Sequence, residues 1–282
     1  MNKIKILAIF TILISHWGNA QTIPFRLTSY NNIIVKALVN DKDSLDLMFQ
    51  ISMNDASIAP NRKRSAESIN FDKNEISDNN TIKIGKVEKK NVRFFDNEYT
   101  GHEADGKVGT GFFSGNIFKI DYDKSKFIIY KKLPKLKGYT SLPIVIKNDQ
   151  IFIIGENIID GKSYKDSFLL QSGYSGGLLY SNDFSKDKPL DQQLHITGEK
   201  KLTNSAGQTV ITKNGSLAKF KLANYTLENV SAGFFAGELK TQKVSYFGAD
   251  LLKRFNWIID LKNNVVYIKP SKYYNVEYFK MN

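Results

Sequence analysis

The sequence predicts an all-β protein made of two similar lobes, and three observations lead to this prediction. The chain has 282 residues, 41% of them hydrophobic and 24% charged, which suffices for one large domain or two lobes of about 100–150 residues. Short runs of β-branched and aromatic residues alternate with polar turns. One half of the chain also matches the other at a nearly constant spacing. We therefore expect a duplicated β fold with a few short helices.

The repeat consists of blocks that recur in the same order in both halves of the chain. The second copy follows the first by 138 residues in the first block and by 139 in the others. Because one offset holds across the blocks, we interpret the chain as a tandem duplication. The matched blocks are 82–92 with 220–230, 108–113 with 247–252, and 118–121 with 257–260, continued by 127–129 with 266–268.

This repeat predicts the organisation of the chain. Pro134 and Gly138 interrupt a lysine- and tyrosine-rich stretch between the copies, which is typical of a linker. Asp121 and Asp260 are equivalent by the repeat, and each precedes a turn, so we expect hairpin roles for both. The predicted segments are a signal peptide at 1–20, an N-terminal β lobe at 22–133, a linker at 134–139, a C-terminal β lobe at 140–272 and a tail at 273–282.

Each copy begins with two strands joined by a turn. The predicted pairs are 32–39 with 45–50, and 150–154 with 166–171, the second pair joined by a turn at Asp160-Gly161. A short helix is expected at 111–116 in the first copy and at 249–255 in the second. The polar stretch 181–206 has no counterpart in the first copy and is predicted to be inserted surface.

The first twenty residues have the layout of a secretory signal. Lys3 and Lys5 precede the apolar run 6–14, and small residues lead to Ala20. That run is well short of the roughly 20 apolar residues that a membrane-spanning helix needs. We expect cleavage near Ala20 and export to the periplasm or the extracellular medium, with no transmembrane segment in the mature protein.

Composition excludes several kinds of chemistry. The chain has no cysteine, which removes disulfides, thiol catalysis and cysteine-based metal sites. Its three histidines show no metal-ligand spacing, so neither a metal nor a cofactor is expected. The net charge of +12 is scattered along the chain without a long basic block, so no nucleic-acid partner is expected.

The stretch FLLQSGYSGGLLY at 168–180 carries a resemblance to a known family. Together with the strand pairs and the hydrophobic-Gly steps Val108-Gly109 and Phe247-Gly248, it resembles the pepsin/retropepsin superfamily of aspartic peptidases. More narrowly, the chain is similar to exported two-lobed proteins of this kind from Bacteroidetes. The resemblance covers nearly the whole mature chain. It implies one Asp-Thr/Ser-Gly loop per lobe at the end of the second strand, facing a cleft between two β-barrel lobes.

Both loops depart from the family pattern at the position of the aspartate. The second loop is Gln171-Ser172-Gly173, and the first is Gln50-Ile51-Ser52. In the family mechanism two carboxylates share one proton, whereas a glutamine amide has no proton to exchange near neutral pH.

The resemblance therefore implies a lost catalytic dyad at Gln50 and Gln171, with Ile51, Ser52, Ser172 and Gly173 as the supporting loop residues. We expect a catalytically inactive protein that binds an extended peptide or protein segment in its cleft.

Three alternatives remain open. Asp55 offers a shifted carboxylate, although a shift of five residues would reverse the facing pattern of a strand. Ser175 lies in a Gly-x-Ser-x-Gly motif that is typical of hydrolase nucleophiles, but only His195 follows it. A structural partner that binds through the outer surfaces of the lobes is the third.

Overall fold

The computed structural model describes residues 20–101, 103–188, 190–203, 209–237 and 241–280. Apart from Ala20, the predicted signal peptide lies outside the described residues, as does His102. In the part of the chain that is described, no helix is both long and apolar enough to cross a membrane.

Strands make up most of the described chain and confirm the predicted all-β architecture. In the first half they are β1 (Gln21–Pro24), β2 (Arg26–Leu27), β3 (Ile33–Val39), β4 (Asp43–Gln50), β5 (Ala56–Ile58), β6 (Ile76–Ile84), β7 (Val87–Phe95), β8 (Gly106–Gly109), β9 (Ile117–Asp121) and β10 (Lys126–Tyr130). In the second half they are β11 (Thr140–Lys147), β12 (Gln150–Ile159), β13 (Lys162–Gln171), β14 (Leu178–Leu179), β15 (His195–Thr203), β16 (Thr209–Leu222), β17 (Tyr225–Gly237), β18 (Ser245–Gly248), β19 (Phe255–Asp260) and β20 (Val265–Pro270).

The helices are short. A 3-10 helix spans Thr110–Phe113, and the α-helices are α1 (Asn182–Asp187), α2 (Leu190–Gln193) and α3 (Ala249–Leu252). The sequence placed a helix after each hydrophobic-Gly step, and both are present. The second ends before 255 because Phe255 already begins β19, where its backbone pairs with Pro270.

The two halves repeat the same strand arrangement. In the first lobe β4 runs parallel to β8, and β8 is antiparallel to β5. In the second lobe β13 runs parallel to β18, and β18 is antiparallel to β14. The hairpins β6–β7 and β16–β17 complete the two copies. The duplication inferred from the spacing of sequence blocks is therefore also a duplication of topology.

A six-stranded antiparallel sheet joins the lobes, and sequence reasoning did not predict it. These strands are part of a larger 13-stranded sheet and follow the order β1-β10-β9-β19-β20-β11, so three strands from the first half of the chain lie beside three from the second. The lobes meet where β9 pairs with β19, with Trp257 opposite Ile120 and Ile259 opposite Phe118. These four side chains are essentially inaccessible to solvent. Burial of each stabilises the fold by about 1.5–3 kcal/mol.

Aromatic side chains fill the interior of each lobe behind the strands that lead to the site. Phe49, the last residue before Gln50, lies 4.9 Å from Phe127 between ring centroids. In the second lobe Phe168 meets Phe220 edge-on at 5.4 Å. Since these rings are buried, they hold the ends of β4 and β13 in place.

Two smaller predictions have different outcomes. The Asp121 carboxylate accepts the Lys124 N–H at 3.0 Å, and the Asp260 carboxylate accepts the Asn263 N–H at 3.2 Å, which confirms the hairpin roles. The prediction that 181–206 is inserted surface agrees with the exposure of most of its described residues, but not of all of them. Leu190 in α2 is buried with 1% of its surface exposed, because the insertion folds back on the lobe through α1 and α2.

Candidate functional site

Two equivalent loops form the floor of the candidate site. Gln50 ends β4 directly opposite Gly109, and Gln171 ends β13 directly opposite Gly248. The backbone carbonyl of each glutamine accepts the backbone N–H three residues later at 3.3 Å, and this bond closes a sharp turn after the strand. The parallel registers therefore place both glutamine side chains at corresponding strand ends.

The structure brings Gln50 and Gln171 into direct contact. Gln50 Nε2 donates to Gln171 Oε1, and also to Ser52 Oγ at 2.6 Å. Gln171 Oε1 accepts two further bonds, from Ser52 Oγ at 3.1 Å and from the Gly173 N–H at 3.3 Å. One amide oxygen thus receives three donors, two of them from the opposite lobe.

The amide oxygen of Gln50 has no such partner. Among the described residues, nothing donates a hydrogen bond to Gln50 Oε1, although this atom is buried. A methyl group at Gly173 would lie 2.7 Å from it, so the glycine leaves room for the amide. A buried acceptor without a donor costs about 1–3 kcal/mol, so the site is poised to accept a hydrogen bond.

Ser172 links the two loops through the backbone. Its Oγ donates to the Phe49 carbonyl at 2.7 Å and accepts the Ile51 N–H at 2.9 Å. Ile51 occupies the equivalent place in the first loop, but it has no hydroxyl to return these bonds. Its side chain is fully buried instead. The side-chain bonds to the backbone of the opposite loop therefore come from Ser172 alone in this pair of positions.

Two asparagines that sequence reasoning missed clamp the second loop from the first lobe. Asn32 Nδ2 donates to the Ser172 carbonyl and Asn31 Nδ2 to the Ser175 carbonyl, both at 2.9 Å. Lys253 Nζ in turn donates to Asn31 Oδ1 at 2.8 Å. Asn31 has a φ of 65°, a left-handed conformation that asparagine tolerates better than most residues. An Asn-Asn pair in a loop carries no signal that would reveal such partners.

The hydrophobic-Gly steps support the floor from behind. The Gly109 N–H donates to the Asp55 carbonyl, and the Gly248 N–H to the Gly177 carbonyl, each at 2.7 Å. Val108 and Phe247, which precede these glycines, are buried. A side chain at either glycine would collide with a loop carbonyl oxygen. Both positions therefore require glycine because the loop backbone passes so closely.

A cleft of about 480 Å³ opens above the two glutamines. Its walls include four tyrosines, which are Tyr30, Tyr99, Tyr174 and Tyr246. Lys107 also lines the cleft, and its Nζ donates to Glu98 Oε2 at 3.0 Å. Of the described residues that line the cleft, none carries a carboxylate or an imidazole. The described chain likewise contains no cluster of acidic and histidine side chains suited to a metal ion.

The alternative catalytic residues lie in different places. Asp55 lines a separate cavity of about 330 Å³, together with Lys89 and Phe112, and burial raises the pKa of its carboxyl. Ser175 lines the cleft. His195 begins β15 and is exposed to solvent. The structure thus groups Ser175 with the glutamine pair, whereas Asp55 and His195 do not line this cleft.

Comparison with known proteins shows what the architecture is. No family model matches the sequence, and neither does any curated protein. A solved structure, that of an aspartic proteinase from Irpex lacteus, matches 91% of this chain and 99% of its own with a TM-score of 0.57 at 12% sequence identity. The chain has the bilobal fold of an aspartic proteinase. At this identity the likeness concerns the fold alone.

Proposed function

We propose that this chain is a catalytically inactive relative of the aspartic peptidases that binds an extended peptide or protein segment in the cleft between its lobes. The observation that carries the proposal is the direct hydrogen bond between the side chains of Gln50 and Gln171 at the cleft floor. Both side chains stand at the ends of equivalent strands, which is where the family resemblance calls for the two catalytic aspartates.

The chemistry of the amide argues against hydrolysis. An aspartic dyad needs one ionised carboxylate to take a proton from water and one protonated carboxyl to polarise the peptide carbonyl. Two amides can donate and accept hydrogen bonds, but neither can exchange a proton near neutral pH. The loss of a general base alone costs about 10²–10⁴ in rate. Since no described residue that lines the cleft carries a carboxylate, none of them can replace the missing aspartate as general base.

The same groups suit binding. An extended segment is recognised by hydrogen bonds to its backbone and by pockets for alternate side chains. Gln50 Oε1 is a buried acceptor without a donor, and a backbone N–H of the segment would supply one. The tyrosines of the walls provide rigid apolar contact area for side chains. The cleft is also open rather than filled by its own side chains, which favours a cleft ligand over a role of the outer surfaces.

The proposal includes export. The basic and apolar pattern of the first twenty residues supports cleavage near Ala20 and a periplasmic or extracellular location. Expression of the full chain, followed by N-terminal sequencing of the secreted or periplasmic fraction, tests this part. An unprocessed N terminus in the cytoplasmic fraction would contradict it.

The decisive experiment measures binding and cleavage on one sample. The mature chain, residues 21–282, is incubated with a fluorescein-labelled decapeptide library from pH 3 to 8, and both fluorescence anisotropy and peptide fragmentation are recorded. We expect binding without cleavage. Acid-dependent cleavage that an inhibitor of aspartic peptidases blocks would overturn the proposal, as would the absence of any binding.

Matched variants separate the remaining chemical alternatives. A Ser175 nucleophile would give cleavage that is lost in Ser175→Ala, and an Asp55 base would give cleavage lost in Asp55→Asn. Under our proposal neither variant changes the rate of cleavage, because there is none to lose. Gln171→Ala, which removes the contact at the floor, should weaken peptide binding.

A further inference from the structure

We propose that a second cavity, between the C-terminal tail and the β15–β17 sheet, continues the cleft and accepts an apolar side chain of the bound segment. This inference rests on the proposed function and adds a specificity element to it. The cavity has a volume of about 590 Å³ and more apolar than polar lining. Its lining includes Asn214, Glu228 and Ser231 on the strand side and Glu277, Tyr278, Phe279 and Lys280 on the tail side.

The tail is held in a defined position by a buried arginine. Arg254 follows α3 and is 1% exposed, and its Nη1 donates to the carbonyl oxygens of Tyr274 at 2.8 Å and Val276 at 2.9 Å. The guanidinium also lies 3.6 Å from the centre of the Tyr278 ring. Several charge-assisted bonds from one buried side chain fix the path of the tail, so it can serve as a wall.

A second anchor sets the register of the last residues. The Phe279 N–H donates to Asp250 Oδ2 at 2.8 Å, and Asp250 is fully buried on α3. The backbone N–H of Asp250 bonds the Gly176 carbonyl at 3.2 Å, in the loop that follows Gln171. One short helix therefore holds both the floor loop of the cleft and the tail that walls the second cavity.

The two cavities are neighbours. Phe279 lines the second cavity and Tyr30 lines the cleft, and their ring centroids are 6.1 Å apart. This ring contact places a wall of the second cavity against a wall of the cleft. A segment that leaves the cleft beside Tyr30 would therefore meet the second cavity next.

The lining indicates the class of side chain that it accepts. Tyr278 and Phe279 present aromatic surface, which favours an aliphatic or aromatic side chain. Asn214 Oδ1 is buried and accepts no hydrogen bond from any described residue. Gln50 Oε1 at the cleft floor is likewise buried and accepts no hydrogen bond from any described residue. Each buried acceptor would gain a hydrogen bond if binding turns its amide toward a backbone N–H of the segment.

The test uses a positional series of labelled peptides. Fluorescein-labelled decapeptides of Ala and Ser carry a single Phe, moved through all ten positions, and their affinities for the mature chain are measured by anisotropy. We expect Phe near one end of the peptide to raise affinity about ten-fold over the peptide without Phe, because the cavity removes part of its apolar ring from water.

Two variants test whether the preference for Phe arises from this cavity. Phe279→Ala removes one apolar wall but keeps the backbone N–H that bonds Asp250, so the ten-fold preference for Phe should disappear. Val276→Ala is the matched control, because Val276 is on the same tail, is 37% exposed and does not line the cavity. This control should keep the preference.

The outcomes separate this inference from the proposed function. If no peptide of the series binds the wild-type chain, the proposed function fails. If peptides bind with equal affinity wherever Phe stands, or if the preference survives in Phe279→Ala, the cleft binds peptide but the second cavity takes no part. If Phe279→Ala and Val276→Ala lose the preference equally, the tail acts only as a scaffold and the inference is wrong.

Discussion

The Ser172 hydroxyl donates to the Phe49 carbonyl oxygen at 2.7 Å and thereby joins the floor loops of the two lobes. The bond spans residues 123 positions apart in the chain. Ser172 Oγ also accepts the Ile51 N–H, so one hydroxyl satisfies two backbone groups of the other lobe. Because Ile51 has no hydroxyl, the first loop offers no equivalent bond in return. Ser172 is therefore one of the links between the lobes that has no counterpart in the first loop.

Replacement of Ser172 by alanine should destabilise the protein. Ser172→Ala leaves the buried Ile51 N–H and Phe49 carbonyl without their partner, at a cost of about 1–3 kcal/mol. Urea denaturation followed by tryptophan fluorescence measures the change. Ser175→Ala is the control, since Ser175 lies in the same loop but faces the cleft, and its effect should stay within about 0.5 kcal/mol. Equal midpoints for the two variants would contradict the role of Ser172.

Glutamate at the floor positions should titrate as a coupled pair. In Gln171→Glu the new carboxylate accepts three donors, so its pKa should fall below the usual value of about 4.3. In the double variant Gln50→Glu/Gln171→Glu, two carboxyls in contact must share one proton, so the pKa of one of them should rise. The unfolded chain releases that proton near pH 4.3. Stability of the double variant should therefore fall as pH rises above about 4.3.

Melting temperature as a function of pH reports this difference. The single variant Gln171→Glu should not lose stability between pH 5 and 7, whereas the double variant should lose it progressively. Gln192→Glu adds a carboxylate on the exposed surface of α2 and controls for the added charge. Identical pH profiles for the single and double variants would show that the two side chains are not in contact.

A methyl group at the second hydrophobic-Gly step should disrupt the floor. Gly248→Ala places its Cβ against the carbonyl oxygens of Gly176 and Gly177, which are backbone atoms and cannot turn aside. We expect a loss of about 1–3 kcal/mol or more. Gly198→Ala is the matched control, because a Cβ there meets no atom within 4 Å. If both variants unfold at the same denaturant concentration, the close approach of the loop to Gly248 is not a constraint.

Asp105 should make the protein sensitive to acid. Burial alone would raise the pKa of Asp105, but the N–H of Asp46 and the guanidinium of Arg64 bond the carboxylate and lower its pKa below 3.8. The folded state therefore binds this proton more weakly than the unfolded state. The resulting stabilisation is complete above the unfolded pKa, about 3.9, and is lost as pH falls through the folded pKa.

Substitution of Asp105 isolates this contribution. Asp105→Asn should be less stable than the wild type at neutral pH and should lose less stability between pH 5 and 3, as measured by urea unfolding at each pH. Asp149→Asn, an exposed carboxylate in the β11–β12 turn, should keep the wild-type profile. If Asp105→Asn loses as much stability between pH 5 and 3 as the wild type does, other carboxylates govern acid unfolding.

Much of the architecture could be predicted from local spacing. The constant offset between the sequence blocks predicts two equivalent lobes, and the structure pairs Gln50 with Gly109 in the same register as Gln171 with Gly248. These are relations within one copy, where strand period and turn length specify the register. The burial of Leu190 within the insertion at 181–206 was not predicted, because the apolar residues of this segment are too few to show a period.

By itself the sequence determined the β class, the duplication and the presence of glutamine at both strand ends. Only the tertiary structure decided which groups meet across the lobes: Asn31 with Ser175, β9 with β19, and the tail with Arg254. Asn31 and Ser175 lie 144 residues apart, and their bond requires that the two lobes pack against each other. Local propensity specifies strands and turns, whereas such contacts depend on how two completed surfaces pack, which no spacing along the chain encodes.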